Sequence, residues 1–295
     1  MNFESVLADQ RFILGEGPHY DRDRHLLYWV DIVAGRAWAL DTRLGRTRSW
    51  AIGEPVSAIV PRRGGGLLVA HKSGLSFLDP ESGALTPFVA PEAGLAGNRS
   101  NEARVDPTGR FWLGTMQDNI GPNGEDLPID QTTGSLYRIE PDGAYRRVET
   151  GIAISNTLAW DEKRARLYFA DSAANTIWVY DWNSRDGEIG NRRLFAQTAD
   201  RGVPDGSALD TDGFLWNARW GGSCIIRYDP DGKIDRIVET PVRQPTSCVF
   251  GGEALRTLYV TSAKVGLDGG LGALDGALLA ADAPMAGQPC VPFAG

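Results

Sequence analysis

Six polar residues recur along the chain at a similar distance before a hydrophobic landmark. Each stands 11 or 12 residues ahead, and the pairs are Glu16 and Tyr28, Ser57 and Leu68, Asn101 and Trp112, Asn156 and Tyr168, Asp205 and Trp216, and Ser247 and Tyr259. Carboxylate and amide oxygens suit Ca²⁺, Mg²⁺ and Mn²⁺ best, and zinc or iron(II) also accepts them. If the fold brings these oxygens together, a divalent cation would offset the cost of burying like charges and unpaired dipoles.

Taken singly, these residues have an ordinary explanation. Glu16 lies between two glycines, Asn156 follows a serine, and Asp205 stands in a Pro-Asp-Gly sequence. All three settings are typical of turns. Turns alone do not require a polar residue at the same distance from every landmark, so the shared spacing is what predicts a functional cluster.

The landmarks belong to short hydrophobic strands that repeat through the chain. They are separated by 40, 44, 56, 48 and 43 residues, and four of their strands follow a turn that begins with Asp. Several strands per unit at this period are typical of a β-propeller with one four-stranded sheet per blade. We therefore expect an all-β fold, a six-bladed β-propeller formed by residues 1–295 as a single domain. A β-sandwich with coincidental spacing is the alternative.

The propeller gives the polar register its meaning. The innermost strand of each blade lines the central axis, and the six polar residues stand where these strands begin. Equivalent positions of the six blades should therefore form a ring around one mouth of the channel.

Two departures from the repeat carry information. The longest gap contains an insertion at 117–133, rich in Gly, Pro, Asp and Asn, which predicts either a lid or a plain surface excursion. The last unit lacks one strand. We expect residues from about 5 to 12 to complete the last blade and so remove an exposed edge.

Composition and charge exclude several classes of partner. The net charge is −8 without a basic stripe, which argues against nucleic acid and anionic membranes. No apolar run approaches the roughly 20 residues that cross a bilayer. The first residues show no basic segment followed by an apolar stretch. We expect a cytoplasmic protein, a monomer or weak oligomer, that acts on a small molecule.

Other catalytic chemistries lack their motifs. The three cysteines are widely spaced without Cys-x-x-Cys, and we expect buried, inert thiols. None of the histidines, His19, His25 and His71, forms a His-x-x-x-His pair, and His71 is expected to be structural. A Gly-x-Ser-x-Gly nucleophile turn is absent from the sequence.

Several motifs, in order, resemble those of the regucalcin/gluconolactonase family. The segments that carry the resemblance are 14–18 (LGEGP), 98–102 (NRSNE), 105–110 (VDPTGR), 114–116 (GTM), 154–156 (ISN), 204–206 (PDG), 220–222 (WGG) and 248–252 (CVFGG). The similarity runs from about residue 14 to 267. It implies a six-bladed propeller that hydrolyses aldonolactones to aldonic acids, and some relatives act on other esters or phosphoesters.

The resemblance also implies roles for individual residues. One divalent metal ion, whether Ca, Mg, Mn, Zn or Fe(II), would be held by Glu16, Asn156 and Asp205. Arg99 and Asn101 would hydrogen-bond the sugar hydroxyls. Where some relatives carry a carboxylate shortly after Gly-Thr-Met, this chain has Gln117-Asp118-Asn119. Asp118 is thus a candidate substrate contact, but roles in this loop do not transfer.

We hypothesise that the metal acts as a Lewis acid and that Asp205 is the general base. Pentonolactones and hexonolactones are equally open as substrates. A metal-dependent phosphotriesterase or aryl-esterase on the same scaffold is the second enzyme hypothesis, and it would prefer an apolar pocket. A non-catalytic, metal-stabilised interaction propeller is the third.

Overall fold

The computed structural model describes residues 1–267 and 270–295. In this part of the chain, 24 β-strands and one single-turn 3₁₀ helix, Glu162–Arg164, make up the regular structure, with no α-helix. The strands form six four-stranded sheets, each antiparallel throughout. The innermost strands of successive sheets contact one another in a closed ring. The prediction of an all-β, six-bladed propeller is confirmed.

Strand β1, Glu4–Ser5, precedes the first blade. Blade 1 contains β2 (Gly15–Asp21), β3 (Leu26–Asp31), β4 (Arg36–Asp41) and β5 (Arg46–Ala51). Blade 2 contains β6 (Val56–Pro61), β7 (Leu67–His71), β8 (Gly74–Leu78) and β9 (Leu85–Val89). Blade 3 contains β10 (Asn98–Val105), β11 (Phe111–Gln117), β12 (Gly134–Ile139) and β13 (Tyr145–Ile152).

The remaining blades follow in chain order. Blade 4 contains β14 (Ser155–Asp161), β15 (Arg166–Asp171), β16 (Thr176–Trp182) and β17 (Ile189–Gln197). Blade 5 contains β18 (Val203–Leu209), β19 (Leu215–Trp220), β20 (Cys224–Tyr228) and β21 (Ile234–Glu239). Blade 6 contains β22 (Pro245–Gly251), β23 (Thr257–Ser262), β24 (Leu279–Asp282) and, as its outermost strand, β1.

Blade 6 is closed by strands from both ends of the chain. Glu4 pairs with Ala280 and Ser5 with Leu279 in antiparallel register. The expected segment of about 5–12 was therefore placed too far along the chain, because only Glu4 and Ser5 pair. The closure itself is confirmed, and it covers the edge that β24 would otherwise present.

A buried aspartate explains why the turns before the aromatic strands recur. The indole Nε1 of Trp112 donates to Asp106 Oδ2 at 3.0 Å, and the backbone N–H of Thr108 donates to Asp106 Oδ1 at 2.9 Å. The same arrangement joins Asp210 to Trp216 at 2.9 Å. Each carboxylate thus satisfies both its own turn and the buried indole of the next strand.

Two segments cross the two ends of the channel. Residues 118–133, here called the cover loop, leave blade 3 after β11, and Ile120 packs against the core cluster of blades 1 and 2. At the opposite end, Gly287 bridges to Asp210 of blade 5, and Phe293 bridges to Arg62 of blade 2. Each segment therefore ties together blades that are not neighbours in the chain.

No helix within residues 1–267 and 270–295 is long and apolar enough to cross a membrane.

Candidate functional site

Every innermost strand departs from regular pairing near its predicted ring position. The register shifts fall between Glu16 and His19, Val56 and Ala58, Ser100 and Ala103, Asn156 and Leu158, Pro204 and Ser207, and Pro245 and Ser247. A bulge bends its strand and redirects the side chains beside it. The repeated polar position is therefore also a repeated break in the sheet.

Four of the six predicted ring residues line one cavity of about 370 Å³. These are Glu16, Asn101, Asn156 and Asp205, and Arg99 lines the same cavity. Ser57 and Ser247 do not. Ser247 Oγ instead accepts a hydrogen bond from Arg104 Nη2 at 3.1 Å. The structure thus brings the carboxylates and amides together and leaves the two serines outside.

Glu16 and Asp205, from blades 1 and 5, line the same cavity, and each carboxyl group affects the pKa of the other. Both are buried, with 7% and 6% of their surface exposed. Burial, reinforced by the charge of Glu102, raises the pKa of Glu16 to about 8. Burial and the neighbouring Glu16 raise the pKa of Asp205 well above its usual range. Without a cation, both carboxyl groups therefore hold their protons to higher pH than exposed carboxyl groups do.

Close packing beside Glu16 requires a glycine. Gly17 has a φ of +58°, and a Cβ there would lie 2.7 Å from the backbone oxygen of Ser57. Its backbone N–H donates to Glu16 Oε2 at 2.6 Å. Gly17 thus lets blades 1 and 2 approach closely while it orients the Glu16 carboxylate.

Asn156 is held by a network of buried amides and hydroxyls. Its Nδ2 donates to Ser172 Oγ at 2.8 Å, and Ser172 Oγ donates to the carbonyl of Pro204 at 2.5 Å. Asn156 Oδ1 accepts from Asn101 Nδ2 at 3.3 Å. These bonds fix the amide with its nitrogen in the protein and its oxygen toward Asn101 and the cavity.

Arg99 is 4% exposed, and its guanidinium is braced on several sides. It donates to Asn101 Oδ1 at 2.7 Å, to the Ser100 carbonyl at 3.0 Å and to Asn119 Oδ1 at 2.9 Å. Burial lowers the pKa of Arg99 to about 10, and the carboxylates around the cavity partly oppose that shift. The side chain is therefore a fixed cation at physiological pH.

Thr157 and Asn217, which support Asp205 through its backbone carbonyl, were not predicted from the sequence. The Asp205 carbonyl accepts from Thr157 Oγ1 at 2.5 Å and from Asn217 Nδ2 at 3.0 Å. Asn217 is fully buried, and Thr157 adopts a φ of +51°. No motif singled out these residues, because they are distant in sequence and act through a backbone carbonyl.

A second buried pair lies next to the ring. Arg104 Nε donates to Glu102 Oε1 at 2.8 Å, and both side chains are largely buried. Glu102 contributes to the raised pKa of Glu16 and of Asp205, whereas Arg104 lowers that of Glu16. Glu102 lies within segment 98–102, which resembles the family, but it follows the ring position by one residue and so does not belong to the repeated polar register.

The cover loop forms part of the cavity wall through Asn119 and residues 126–129. Asp118, the candidate from the sequence, does not line the cavity and forms an ion pair with Lys72 at 2.7 Å. Its neighbour Asn119 contacts Arg99 instead. Which residue of Gln117-Asp118-Asn119 faces inward depends on the path of the loop, which composition does not specify.

His71 was expected to be structural, and its surroundings agree with that role. Its Nδ1 lies 2.6 Å from Glu54 Oε1, and its Nε2 lies 2.8 Å from Ser76 Oγ. His71 therefore serves a structural hydrogen-bond network away from the cavity.

The donor set fits one hard divalent cation. Two buried carboxylates and one amide face the same cavity, and burial raises the pKa of both carboxyl groups when no cation offsets their charge. Across the described part of the chain, no cluster of three or more His, Cys, Asp or Glu side chains is arranged for a metal. A site here would therefore depend on Asn156 as well as the carboxylates, which suits oxygen-seeking ions.

Comparisons with known proteins identify the family of this chain. The SMP-30/gluconolactonase/LRE-like region matches residues 14–264. A 6-deoxy-6-sulfogluconolactonase from Pseudomonas putida is 35% identical over 86% of this chain and 85% of its own length. An L-arabinolactonase from Azospirillum brasilense is 35% identical over 99% of this chain and 95% of its own.

A solved structure shares the whole architecture. A calcium-binding protein, regucalcin, from Agrobacterium tumefaciens superposes with a TM-score of 0.89 at 29% identity, covering 98% of this chain and 96% of its own. The family resemblance inferred from the motifs is confirmed. By sequence and fold, this chain belongs to the SMP-30/gluconolactonase/LRE-like family.

Proposed function

We propose that this protein is a sugar lactonase that opens an aldonolactone to the aldonic acid, with one divalent cation held by Glu16, Asn156 and Asp205. The observation that carries the proposal is the buried Glu16–Asp205 pair facing Asn156 and Arg99 in one cavity. Two relatives at 35% identity over most of the chain are named as lactonases of sugars. Regucalcin from Agrobacterium is described as calcium-binding, which supports a cation in this fold.

The chain's own groups account for the proton transfers. When bound, a divalent cation would supply Lewis-acid polarisation of the carbonyl and acidify a water molecule. Asp205 accepts a proton from the attacking water as its oxygen bonds to the carbonyl carbon. The tetrahedral intermediate then collapses, the ring C–O bond breaks, and the ring oxygen takes the proton from Asp205 and leaves as a hydroxyl. The new carboxylic acid ionises and releases one proton to the solvent. The product is a carboxylate that carries the former ring oxygen as an alcohol.

Arg99 orients the substrate in this scheme. Its Nε and Nη1 are engaged by protein groups, and Nη2 has no hydrogen-bond partner within residues 1–267 and 270–295. That free donor is suited to a sugar hydroxyl. Because the guanidinium is planar and braced, it presents the donor in one direction.

Asn101 was expected to hydrogen-bond a sugar hydroxyl, but most of its side-chain hydrogen bonds are made within the protein. Its Oδ1 accepts from Arg99, and its Nδ2 donates to the Ser155 carbonyl at 2.8 Å and to Asn156. We propose that it links the sugar-binding side of the cavity to the metal-binding side. A direct contact with a sugar hydroxyl would use the second lone pair of its Oδ1.

One observation favours a second activity. The cavity also has an apolar wall, which includes Leu14, Ile32, Met116, Val203 and Trp220. An aryl ester could pack against this wall while its carbonyl meets the same polar groups. We keep metal-dependent aryl-esterase activity as the second candidate.

A substrate panel tests both candidates. Protein stripped with EDTA is supplied with Ca²⁺, Mg²⁺, Mn²⁺, Zn²⁺ or Fe²⁺ separately, and acid release is followed with a pH indicator. Pentonolactones, hexonolactones and an aryl acetate are compared. Metal-dependent turnover of aldonolactones supports the proposal. Turnover confined to the aryl ester would favour the second candidate, and turnover unaffected by metal removal would refute the role given to the cation.

A further inference from the structure

The cavity carries more negative than positive protein charge. Its ionisable carboxylates are Glu16, Asp126 and Asp205, and Arg99 is the only cationic side chain lining it among the residues that the structure describes. One divalent cation together with Arg99 would balance three carboxylates. No positive charge then remains to receive an anionic group on the substrate.

Asp126 differs from the other two carboxylates in its position. It is an exposed residue of the cover loop, and its Oδ1 accepts from Asn119 Nδ2 at 2.7 Å. Asn119 Oδ1 in turn accepts a hydrogen bond from Arg99 Nε. One amide therefore connects Asp126 to the guanidinium that we propose binds the sugar. No salt bridge reaches Asp126 in the described part of the chain, whereas Asp118 on the same loop is neutralised by Lys72.

The cover loop carries Asp126 across the mouth of the channel. The loop begins in blade 3, and a Cβ placed on Gly124 would lie 2.9 Å from Val33 Cγ1 of blade 1. A Cβ on Gly266, which follows the second strand of blade 6, would lie 3.9 Å from Asp126 Oδ2. The carboxylate thus lines the cavity from the cover loop, whereas Glu16 and Asp205 line it from inner strands.

We propose that Asp126 makes this enzyme selective for uncharged lactones over lactones that bear phosphate, sulfonate or carboxylate at the end remote from the reacting carbonyl. This inference rests on the proposed function. The carbonyl must approach the groups on the inner strands, so the remote end of the sugar lies beneath the cover loop. A hydroxyl there can donate to Asp126 Oδ2, whereas an anion meets an unpaired carboxylate and no cation.

The same fold does not exclude anionic substrates in general, since one relative is named for a sulfonated lactone. Selectivity for charge would therefore depend on individual side chains of the cavity and not on the fold, and a single carboxylate on the cover loop is suited to set it.

The test uses the metal-loaded enzyme with glucono-1,5-lactone and its 6-phosphate as a matched pair. The wild type, Asp126→Asn and Glu125→Gln are compared by kcat/KM. Asp126→Asn keeps an acceptor for Asn119 and removes only the charge. Glu125→Gln is the matched control, because Glu125 neighbours Asp126 on the loop, is exposed and does not line the cavity.

We expect the wild type to prefer the neutral lactone and Asp126→Asn to reduce that preference by about 3- to 10-fold, the size expected for a partly solvated charge pair. The change should appear mainly as a lower KM for the phosphate ester. Raising the salt concentration should reduce the preference of the wild type and affect Asp126→Asn less, because screening weakens a charge effect but not a steric one. Glu125→Gln should match the wild type.

The possible results distinguish a failure of the role of Asp126 from a failure of the proposed function. A wild type that turns over the neutral lactone without preferring it, or an Asp126→Asn variant with unchanged preference, would overturn the role of Asp126 alone. An equal change in Glu125→Gln would do the same, since it would reflect the net charge of the loop. A wild type that hydrolyses neither lactone nor any other aldonolactone would overturn the proposed function and the inference with it.

Discussion

Glu16 in blade 1 and Asp205 in blade 5 are buried side chains of one cavity, and the charge of Glu16 adds to the effect of burial in raising the pKa of Asp205. Ionising two neighbouring buried carboxyl groups without a counterion is costly, because their repulsion is poorly screened. The pair is therefore expected to hold protons in a cation-free cavity and would have to ionise to serve as the proposed cation ligands. This relationship sets the pH behaviour of the protein.

The stability of the metal-free protein should fall as the pH rises. The folded-state pKa of Glu16, about 8, lies above its ordinary value of 4.5, so its stabilising contribution is complete below about 4.5 and is lost as the pH rises through about 8. Thermal melts of EDTA-treated protein between pH 6 and 9 check this. Glu16→Gln should flatten the dependence, and a melting temperature that rises over this range would contradict the account.

Cation binding should release protons and strengthen with pH. The ligands must lose their protons to coordinate a cation. Calorimetric titration of Ca²⁺ or Mn²⁺ in two buffers of different ionisation enthalpy measures the proton count. We expect about one proton released near pH 7 in the wild type and markedly less in Glu16→Gln. Equal heats in both buffers would show that the pair is already ionised.

Replacing Asp205 by asparagine should remove most turnover. Loss of a general base costs on the order of 10²- to 10⁴-fold in kcat, and the weaker ligand should also reduce cation affinity. Turnover is therefore measured at saturating metal, so that the two effects separate. Asp212→Asn, an exposed turn position in the same blade, is the control. Wild-type kcat in Asp205→Asn would end the assignment.

Removing the guanidinium of Arg99 should act mainly on substrate binding. A lost hydrogen bond to a charged donor costs about 1.5–3 kcal/mol, which corresponds to roughly a 10- to 100-fold higher KM. We expect Arg99→Ala to show this rise with a smaller change in kcat. Steady-state kinetics on one aldonolactone provide the measurement. A fall in kcat alone would instead place Arg99 in the chemical step.

Asn217 should influence the cation without touching the cavity. Its side chain holds the Asp205 carbonyl, and loss of such a supporting bond commonly weakens metal binding by about 10- to 100-fold. Asn217→Ala is therefore expected to bind Ca²⁺ or Mn²⁺ more weakly by calorimetry. A variant that melts at a lower temperature yet keeps full cation affinity would show a purely structural role.

The segment across the opposite end of the channel should matter for stability rather than activity. Phe293 is fully buried, and its ring lies edge-on to Phe88 and Phe111 of blades 2 and 3. Truncating a buried phenylalanine costs about 3–5 kcal/mol. Urea unfolding of Phe293→Ala should show a loss of this size with kcat nearly unchanged. A lowered kcat with wild-type stability would contradict this division.

The repeat could be predicted from the sequence because it follows from local chemistry. Alternating apolar residues specify strands. An Asp at the start of a turn accepts hydrogen bonds from the backbone of that turn and from the indole of the following strand, as Asp106 and Trp112 show. These interactions span a few residues, so they leave a pattern at a fixed spacing. The blade number and the polar register both follow from it.

Features that depend on contacts between blades were harder to predict from the sequence. Ser57 and Ser247 share the register with Glu16 but do not line the cavity, and Ser247 instead accepts a hydrogen bond from Arg104 of blade 3. The closing strand begins at Glu4 because its pairing with β24 is fixed by the partner and not by its own composition.

Sequence by itself determined the strands, the sixfold repeat and the six polar positions, since each depends on residues close together in the chain. Tertiary structure alone decided that Asn119 and Asp126 face the cavity while Asp118 pairs with Lys72, and that Thr157 and Asn217 support Asp205. Those outcomes depend on how a long loop and separate blades pack against one another. Packing between distant segments has no fixed spacing in the sequence, and so it leaves no periodic signal to read.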